Sequence, residues 1–373
     1  MLQRVAYETP TWAAHMRAPA NGRVILTHAA TPVFSWRISA LKELGVKWLI
    51  KRDDLSGFEI SGNKARKLEF LLGEALALGH DCVVTVGGMQ SNHCRATAAA
   101  ARLVGLEPHV VLLASDAKVD EDPGLEGNLL LDRMLGATLH LCPASDYYRH
   151  GGNLGAMKTI AHAAAAKLRA AGRNPYVVPV GASNGLGTWG YIDAVHELRQ
   201  QLELDSGSNC PFDHIVMATG SAGSAAGVAM ASRLSGLPVS VHAACVNGGV
   251  EEKYEEMGAI GEEMGCWSAG EGTASAREAI SIYPGAGRGY ALNTPAELEF
   301  AVRHSAEGGV LLDPTYTAKG LFHFCEAARA SPDVFRGSRI LFWHTGGQFG
   351  MWSKQAELAR NLPTGRVERL LVP

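Results

Sequence analysis

The sequence predicts an α/β protein in which mostly parallel sheets are covered by helices on both faces. Three observations predict it. Short apolar runs rich in valine, isoleucine and leucine recur along the chain, stretches with helical spacing separate them, and three of the runs end in glycine-rich turns that lead into a helix. A strand buried on both faces reads as a continuous apolar run, whereas a strand with one wet face alternates, and most of these runs are continuous. At 373 residues the chain exceeds the size at which a single core usually stops growing, so two domains are expected.

The runs, in chain order, are "VKWLIKRDD" from 46, "DCVVTVGG" from 81, "PHVVLLA" from 108, "ATLHLC" from 137, "YVVPVG" from 176, "HIVMATG" from 214, "VSVHAACV" from 239 and "RILFWHTGG" from 339. Between them, Leu68, Leu71, Leu72, Ala75 and Leu76 fall on one face of a helix, "AHAAAAKLRAAG" is an alanine-rich helix, and "HCRATAAAARLVG" and "SAAGVAMASRLSG" run to a glycine stop. Two stretches interrupt the alternation: "ASDAKVDEDPGLEGN" from 114, and a long polar segment over roughly 247–280. Both are expected to be loops or excursions with a functional purpose.

Composition narrows the function. A net charge of −3 with 19% charged residues gives no broad attraction to nucleic acid or to an anionic membrane, so a small-molecule partner is expected. Glycine stands at 43, against roughly 26 for an average near 7%, which indicates many tight turns and close backbone approaches. The seven cysteines, at 82, 94, 142, 210, 245, 266 and 325, form no CxxC pair and no Cys/His cluster at zinc spacing, so reduced thiols and no metal are expected. Cys94 sits in a polar turn and could be a nucleophile, but nothing near it in sequence supplies a base. No run of eighteen apolar residues is present and the first thirty residues lack the apolar core of a secretory signal. The cytoplasm is the expected compartment, with an organelle address in the first residues left open.

The three glycine-rich turns are "GGMQSNHCR", "ATGSAGSAAG" and "HTGGQFG", and ligands of such sheets collect at the carboxyl ends of the strands; the first two of them, with one helix start, carry the chemistry. In "ATGSAGSAAG", residues 218–227, backbone N–H groups and hydroxyls can converge on an anion beside a helix dipole. It is no Walker loop and no clean dinucleotide fingerprint, and a tight turn without ligand is the plainer alternative. "GGMQSNHCR", residues 87–95, places Gln90, Ser91, Asn92 and His93 in succession at a helix start. One of them suffices as a cap, so the set suggests a site for a carboxylate or a planar polar ring, with His93 as a base or a hydrogen-bond donor. "SGNKARKLEF", residues 61–70, puts Lys64, Arg66 and Lys67 near a helix N-terminus, where the dipole disfavours cations unless an anion is bound. Surface lysines are the ordinary alternative. Clustered cations would also favour the neutral amine of Lys64 and make it a nucleophile toward an aldehyde. A lysine amine, a phosphate cradle and a polar loop for a carboxylate together describe pyridoxal phosphate chemistry on an amino acid.

"SGNKARKLEFLL", "GGMQSNHCRATAAAAR", "ATGSAGSAAG", "DPTYTAKG" and "WHTGG", in that order and across nearly the whole chain, resemble the D-cysteine desulfhydrase and 1-aminocyclopropane-1-carboxylate deaminase family. The resemblance implies a fold-type-II, tryptophan-synthase-beta-like pyridoxal 5'-phosphate enzyme, expected as a homodimer. A smaller α/β domain, 67–186, would be inserted into a larger one, 1–66 with 187–373, with the cofactor between them. It makes Lys64 the lysine that binds the cofactor covalently and Lys67 a phosphate partner. Thr219, Gly220, Ser221, Ala222, Gly223 and Ser224 become the phosphate cup, and Asn92 the partner of the phenolic oxygen. Ser91 and His93, with Gln90 beside them, would face the substrate carboxylate, and Ser91 is also a candidate for proton transfer. Tyr290 in "GRGYA" and Tyr316 in "DPTYTAKG" resemble the two active-site tyrosines, although alone each reads as a core aromatic with a polar tip.

The resemblance also separates two reactions. Deaminases that open the cyclopropane ring carry a glutamate after the second tyrosine and a leucine in "HLGG"; this chain has Thr317 and Thr345 at those positions. A carboxylate against the pyridine nitrogen keeps it protonated and deepens the electron sink, which a threonine hydroxyl does poorly. Loss of thiolate is the easier elimination, so D-cysteine desulfhydration to pyruvate, ammonia and hydrogen sulfide is the expected reaction. Lys64 or Ser91 would handle the Cα proton and Tyr290 or Tyr316 the departing sulfur. Ring opening, and a catalytically silent protein that binds pyridoxal phosphate or an amino acid, are the alternatives.

Overall fold

A computed structural model describes residues 1–152, 154–203, 210–362 and 369–370. All eight apolar runs are strands, distributed over two sheets. The larger has six strands in the order Ser281–Pro284, Ser240–Cys245, His214–Thr219, Arg339–His344, Lys47–Arg52 and Val33–Trp36. Every neighbouring pair is parallel except the last. The smaller is wholly parallel, in the order Thr138–Pro143, Glu107–Ala114, Cys82–Gly88 and Pro175–Val177.

Burial on both faces explains why the runs are continuous. In His214–Thr219, Ile215 and Met217 pack with Val195, Ala226 and Trp343 on one side, while Val216 packs with Leu321, Phe324 and Phe342 on the other. In Cys82–Gly88, Val83 joins the Leu68, Leu71 and Leu72 face of the Asn63–Ala77 helix, and Val84 and Val86 meet the Leu154–Ala170 helix through Ile160 and Ala161. Six of the seven cysteines are buried, and all seven are free thiols. No helix among the described residues is long and apolar enough to cross a membrane.

Two features depart from the sequence-based expectation. The polar segment 247–280 is not a loop: it forms the helices Val250–Glu263 and Gly272–Ala279. Tyr254, Met257 and Ile260 supply the buried stripe there, so the helical period is present but diluted by glutamates on the wet face. The edge strands Val33–Trp36 and Ser281–Pro284 were not expected, being only four residues long, the second ending in proline. The division points 66/67 and 186/187 both fall inside helices, Asn63–Ala77 and Gly185–Gln201. These two helices cross so closely that a Cβ on Gly190 would lie 2.3 Å from the Arg66 carbonyl oxygen, and they lie on the two connections between the larger and the smaller sheet. The segment from 115 to 127 is irregular apart from one turn at Asp116–Lys118.

Candidate active site

The strand His214–Thr219 ends at the turn Gly220–Ala222, from which the helix Gly223–Leu234 departs. Ala222 stands at φ 58°, and no side chain caps this helix, whereas Ser91 and Asn184 cap theirs. Its first N–H groups are therefore left for something else. Thr219, Gly220, Ser221, Ala222 and Ser224 line a cavity of about 510 Å³ between the two sheets, together with Lys64, Ser91, Asn92, His93, Tyr290, Tyr316 and Thr345. Among the described residues no carboxylate lines it.

Lys64 enters from the first turn of its helix. Gly62, the N-cap at φ 97°, is confined to glycine twice over, because a Cβ there would also lie 2.8 Å from the Thr345 carbonyl oxygen. Asn63 N donates to that same oxygen at 3.0 Å, and Ser56 Oγ donates to Gly62 O at 2.9 Å. Lys64 is thereby held next to Thr345, with its remaining free surface along the cavity. Burial alone pulls its amine down to about 8. The neighbouring cations expected to do this are not the cause. Arg66 points the other way, into a buried network where Nη2 meets Asp53 Oδ1 at 2.8 Å and Nη1 meets Glu197 Oε2 at 3.0 Å.

Lys67 and Gly223 sit behind the lining instead of on it. Lys67 Nζ donates to Ser183 Oγ at 2.8 Å, and Ser183 Oγ lies 2.9 Å from Ser221 Oγ, so the cation reaches the turn through one hydroxyl. Burial, reinforced by Lys64, holds its amine well below the ordinary lysine range. A Cβ on Gly223 would lie 2.7 Å from Ser183 Oγ, so this residue spaces the turn from the serine. Asn63 Nδ2 donates to Ser224 Oγ at 2.9 Å. Sequence reasoning missed Ser183 and Asn63, although "GASNGLG", residues 181–187, is one more glycine-flanked turn between a strand and a helix.

The second turn meets the cavity from the smaller sheet. Ser91 is the N-cap of Asn92–Val104, its Oγ accepting from Cys94 N at 3.2 Å. Its hydroxyl proton is thus free to be donated into the cavity. His93 Nε2 lies 2.7 Å from Thr85 Oγ1, whose only proton goes to Val178 O at 3.0 Å. The imidazole must therefore carry its proton on Nε2, which leaves Nδ1 as a buried acceptor without a protein partner. Burial and the two lysines hold His93 neutral. An acceptor suits a bound N–H or O–H better than the carboxylate first expected. Cys94 is buried, and burial holds its thiol protonated, which argues against a nucleophile.

Gln90 does not reach the cavity. Its Nε2 donates to Glu126 O at 2.9 Å and its Oε1 accepts from Asn128 N at 2.9 Å. It lines an outer chamber of about 590 Å³ that shares Gly88, Ser91, Asn92, Tyr290 and Tyr316 with the inner one. Thr317 does not reach the cavity either. It is fully buried, with Oγ1 bonded to Asp313 Oδ1 at 2.7 Å, and the same carboxylate receives Thr315 N, Tyr316 N and Thr317 N at 2.9–3.0 Å. At the start of a helix a side-chain oxygen is worth most against these free N–H groups, which turns Thr317 away from the ligand side.

The tyrosines meet across the boundary of the two chambers. Tyr290 Oη lies 2.6 Å from Tyr316 Oη, and the ring of Tyr316 packs so near Gly220 that a Cβ there would be 3.3 Å from Cε1. Burial raises both phenols, so each holds its proton at neutral pH. Lys319 Nζ donates to Gly289 O and Leu292 O, both at 2.8 Å, and so staples the loop that carries Tyr290. The arrangement joins an anion-binding turn, a partly deprotonated amine and proton-holding phenols around a space without negative charge, which fits an anionic aldehyde cofactor carrying an amino acid.

Known proteins agree with this chemistry. Residues 24–346 match the family model described as "Pyridoxal-phosphate dependent enzyme". The chain is 40% identical, over 96% of its length and 86% of the relative's, to the bifunctional D-cysteine desulfhydrase/1-aminocyclopropane-1-carboxylate deaminase, mitochondrial, of Arabidopsis thaliana. It is 33% identical to the D-cysteine desulfhydrase of Salmonella newport, over 82% of this chain and 88% of that one. A crystal structure of an ACC deaminase homologue superimposes with a TM-score of 0.77 at 30% identity, covering 95% of this chain and 100% of the other.

Proposed function

The chain belongs to the pyridoxal-phosphate dependent enzymes of the D-cysteine desulfhydrase/1-aminocyclopropane-1-carboxylate deaminase family, and from that premise we propose that it is a carbon–sulfur lyase acting on D-cysteine. When bound, pyridoxal phosphate supplies a ring that withdraws electrons from the α-carbon of the amino acid. The residues of the chain do the rest. The turn 219–224 and the uncapped helix behind it hold the phosphate, with Lys67 adding its charge through Ser183. Asn92 donates to the ring oxygen, and Ser91 turns its free O–H toward the substrate carboxylate. Lys64, with an amine pulled down to about 8, takes the Cα proton. Tyr316, paired with Tyr290, protonates the departing sulfur, since both phenols keep their protons at working pH. D-cysteine and water give pyruvate, ammonia and hydrogen sulfide.

The observation that favours thiolate loss over ring opening is the cavity lining without a carboxylate, where Thr345 is the threonine that remains near Lys64. Thr345 would offer the cofactor's ring a hydroxyl in place of a carboxylate, which would make a shallower electron sink, adequate for a good leaving group. The test is sulfide and pyruvate release from D-cysteine beside ammonia release from 1-aminocyclopropane-1-carboxylate. A preference for D-cysteine in kcat/KM of about tenfold or more, abolished in Lys64→Ala, is expected. Equal or faster turnover of the cyclopropane would overturn the assignment. A homodimer belongs to the same reading, and the resemblance is its support; sedimentation of the purified protein checks it.

A further inference from the structure

Asn92 can serve an oxygen of the cofactor only if its amide presents N–H and not C=O, and a side-chain amide has no intrinsic preference between the two. What fixes the choice is a chain of hydrogen bonds that starts at a group unable to accept. Arg95, on the same helix as Asn92, is buried, and burial pulls its guanidinium down only to about 10, so it stays charged and donates at neutral pH. Its Nη1 donates to Glu59 O, its Nη2 to Ser61 O at 3.4 Å, and the guanidinium stacks over the Phe349 ring at 4.5 Å. The remaining Nε donates to Asn128 Oδ1 at 3.1 Å.

That contact sets the polarity of everything after it. Arginine offers donors only, so the atom of Asn128 facing it must be the oxygen. Asn128 Nδ2 is then on the opposite side, where it donates to Gln90 O at 3.0 Å and to Asn92 Oδ1 at 3.2 Å. Since Asn92 spends its oxygen on this bond, its Nδ2 is the atom left for the cavity. Asn128 is fully buried and its backbone N is tied to Gln90 Oε1, so it has no freedom to turn. A reversed Asn92 would set two donors against each other at the Asn128 contact and turn a carbonyl toward an anionic oxygen.

We propose that Asn128, oriented by Arg95, is a positioning residue that fixes the Asn92 amide with its N–H toward the cofactor's ring oxygen. It also gives a purpose to the irregular segment after the strand Glu107–Ala114, because that segment ends at Asn128 and Gln90 clamps it through Glu126 O. The outer chamber is thus held in register with the inner one. The proposal rests on the pyridoxal phosphate reading, and it would survive a change of substrate within that family.

Asn128→Asp keeps the shape but replaces the donor by a second acceptor, which drives Asn92 to reverse. The more anionic form of the cofactor oxygen then loses a donor. The apparent pKa of the visible absorption band should rise by about 0.5–1 pH unit, and cofactor affinity should fall about 3- to 10-fold. Asn128→Ala, which adds no charge, should give a smaller shift of the same sign and serves where the aspartate variant does not fold. Circular dichroism of the apoproteins separates misfolding from misorientation, because a merely structural Asn128 would lower the melting temperature without moving the band of the loaded protein. An unmoved band in the folded variants refutes the relay. A wild-type protein that takes up no pyridoxal phosphate and shows no visible band sinks the reading beneath it instead.

Discussion

Replacing Lys67 by methionine should weaken cofactor binding without weakening the apoprotein. Lys67 is fully buried, donates to Ser183 Oγ, and has no carboxylate paired with it among the described residues. Its amine is held well below the ordinary range by burial and then by Lys64, so in the empty protein its charge is a liability. Below its ordinary pKa of 10.5 the folded chain binds fewer protons at this group than the unfolded chain does. Apoprotein stability therefore rises with pH from the depressed folded value up to about 10.5, and is lost as pH falls through that window. Methionine fills similar volume, and Ser183 Oγ keeps Ser221 Oγ and Gly181 O as partners, so little is left unsatisfied. The bound phosphate, by contrast, loses a charge-assisted contact relayed through the hydroxyls of Ser183 and Ser221. Taking roughly 2–3 kcal/mol for it gives about 30- to 150-fold weaker binding. Differential scanning fluorimetry of the apoprotein and absorbance titration with pyridoxal phosphate read the two effects separately. An apoprotein melting temperature that drops by more than about 5 °C with unchanged affinity would mean that Lys67 is a structural lysine and that the cup does not use its charge.

Two further outcomes are expected. The rate at which apoprotein takes up pyridoxal phosphate should rise with pH through a midpoint of about 8, because only the unprotonated Lys64 amine attacks an aldehyde; stopped-flow absorbance measures it, and a rate still climbing toward 10.5 would contradict the burial of that amine. The two threonines should separate cleanly: Thr317→Val should cost about 1–2 kcal/mol of stability by depriving Asp313 of a donor while leaving the visible band in place, whereas Thr345→Val should leave melting almost unchanged and alter the band, and equal spectra from both would show that neither faces the ring.

Much of the site was legible because its parts are local. Lys64, Ser91, Asn92 and the turn 219–224 each lie where a strand or turn runs into a helix, and the residues that mark such a junction are the residues that bind there. Distance along the chain hid the rest. Ser183, which joins Lys67 to Ser221, lies 116 residues from the first and 38 from the second, and Asn128 reaches Asn92 from the end of a segment with no pattern of its own. Thr317 misled for a different reason: "DPTYTAKG" reads as a catalytic motif, but Asp313 collects the free N–H groups of the following helix and draws the threonine hydroxyl inward with them. Periodicity failed where it was diluted, in the glutamate-rich helix Val250–Glu263 and the short helix Gly272–Ala279, and at short edge strands that have no run to display.

The cations at the start of the Asn63–Ala77 helix make sense once their directions are known. Its first turn has no acidic residue and no side-chain cap, so a macrodipole and two lysines all favour a negative charge on that side. On another face Arg66, between the two lysines in sequence, meets Asp53 and Glu197, and three residues on Glu69 accepts from Leu26 N and Thr27 N at 3.0 and 2.7 Å. Burial alone would raise Asp53, yet Arg66 and Lys51 overcome it and hold the carboxylate ionised. The helix thus satisfies its charges within the protein on one face and leaves Lys64 and Lys67 without a carboxylate on the other. Had Asp53 or Glu197 faced the cavity, a phosphate would be repelled and the Lys64 amine would be held protonated by an ion pair. Confining the carboxylates to the far face lets burial lower that amine and keeps the cup attractive to an anion.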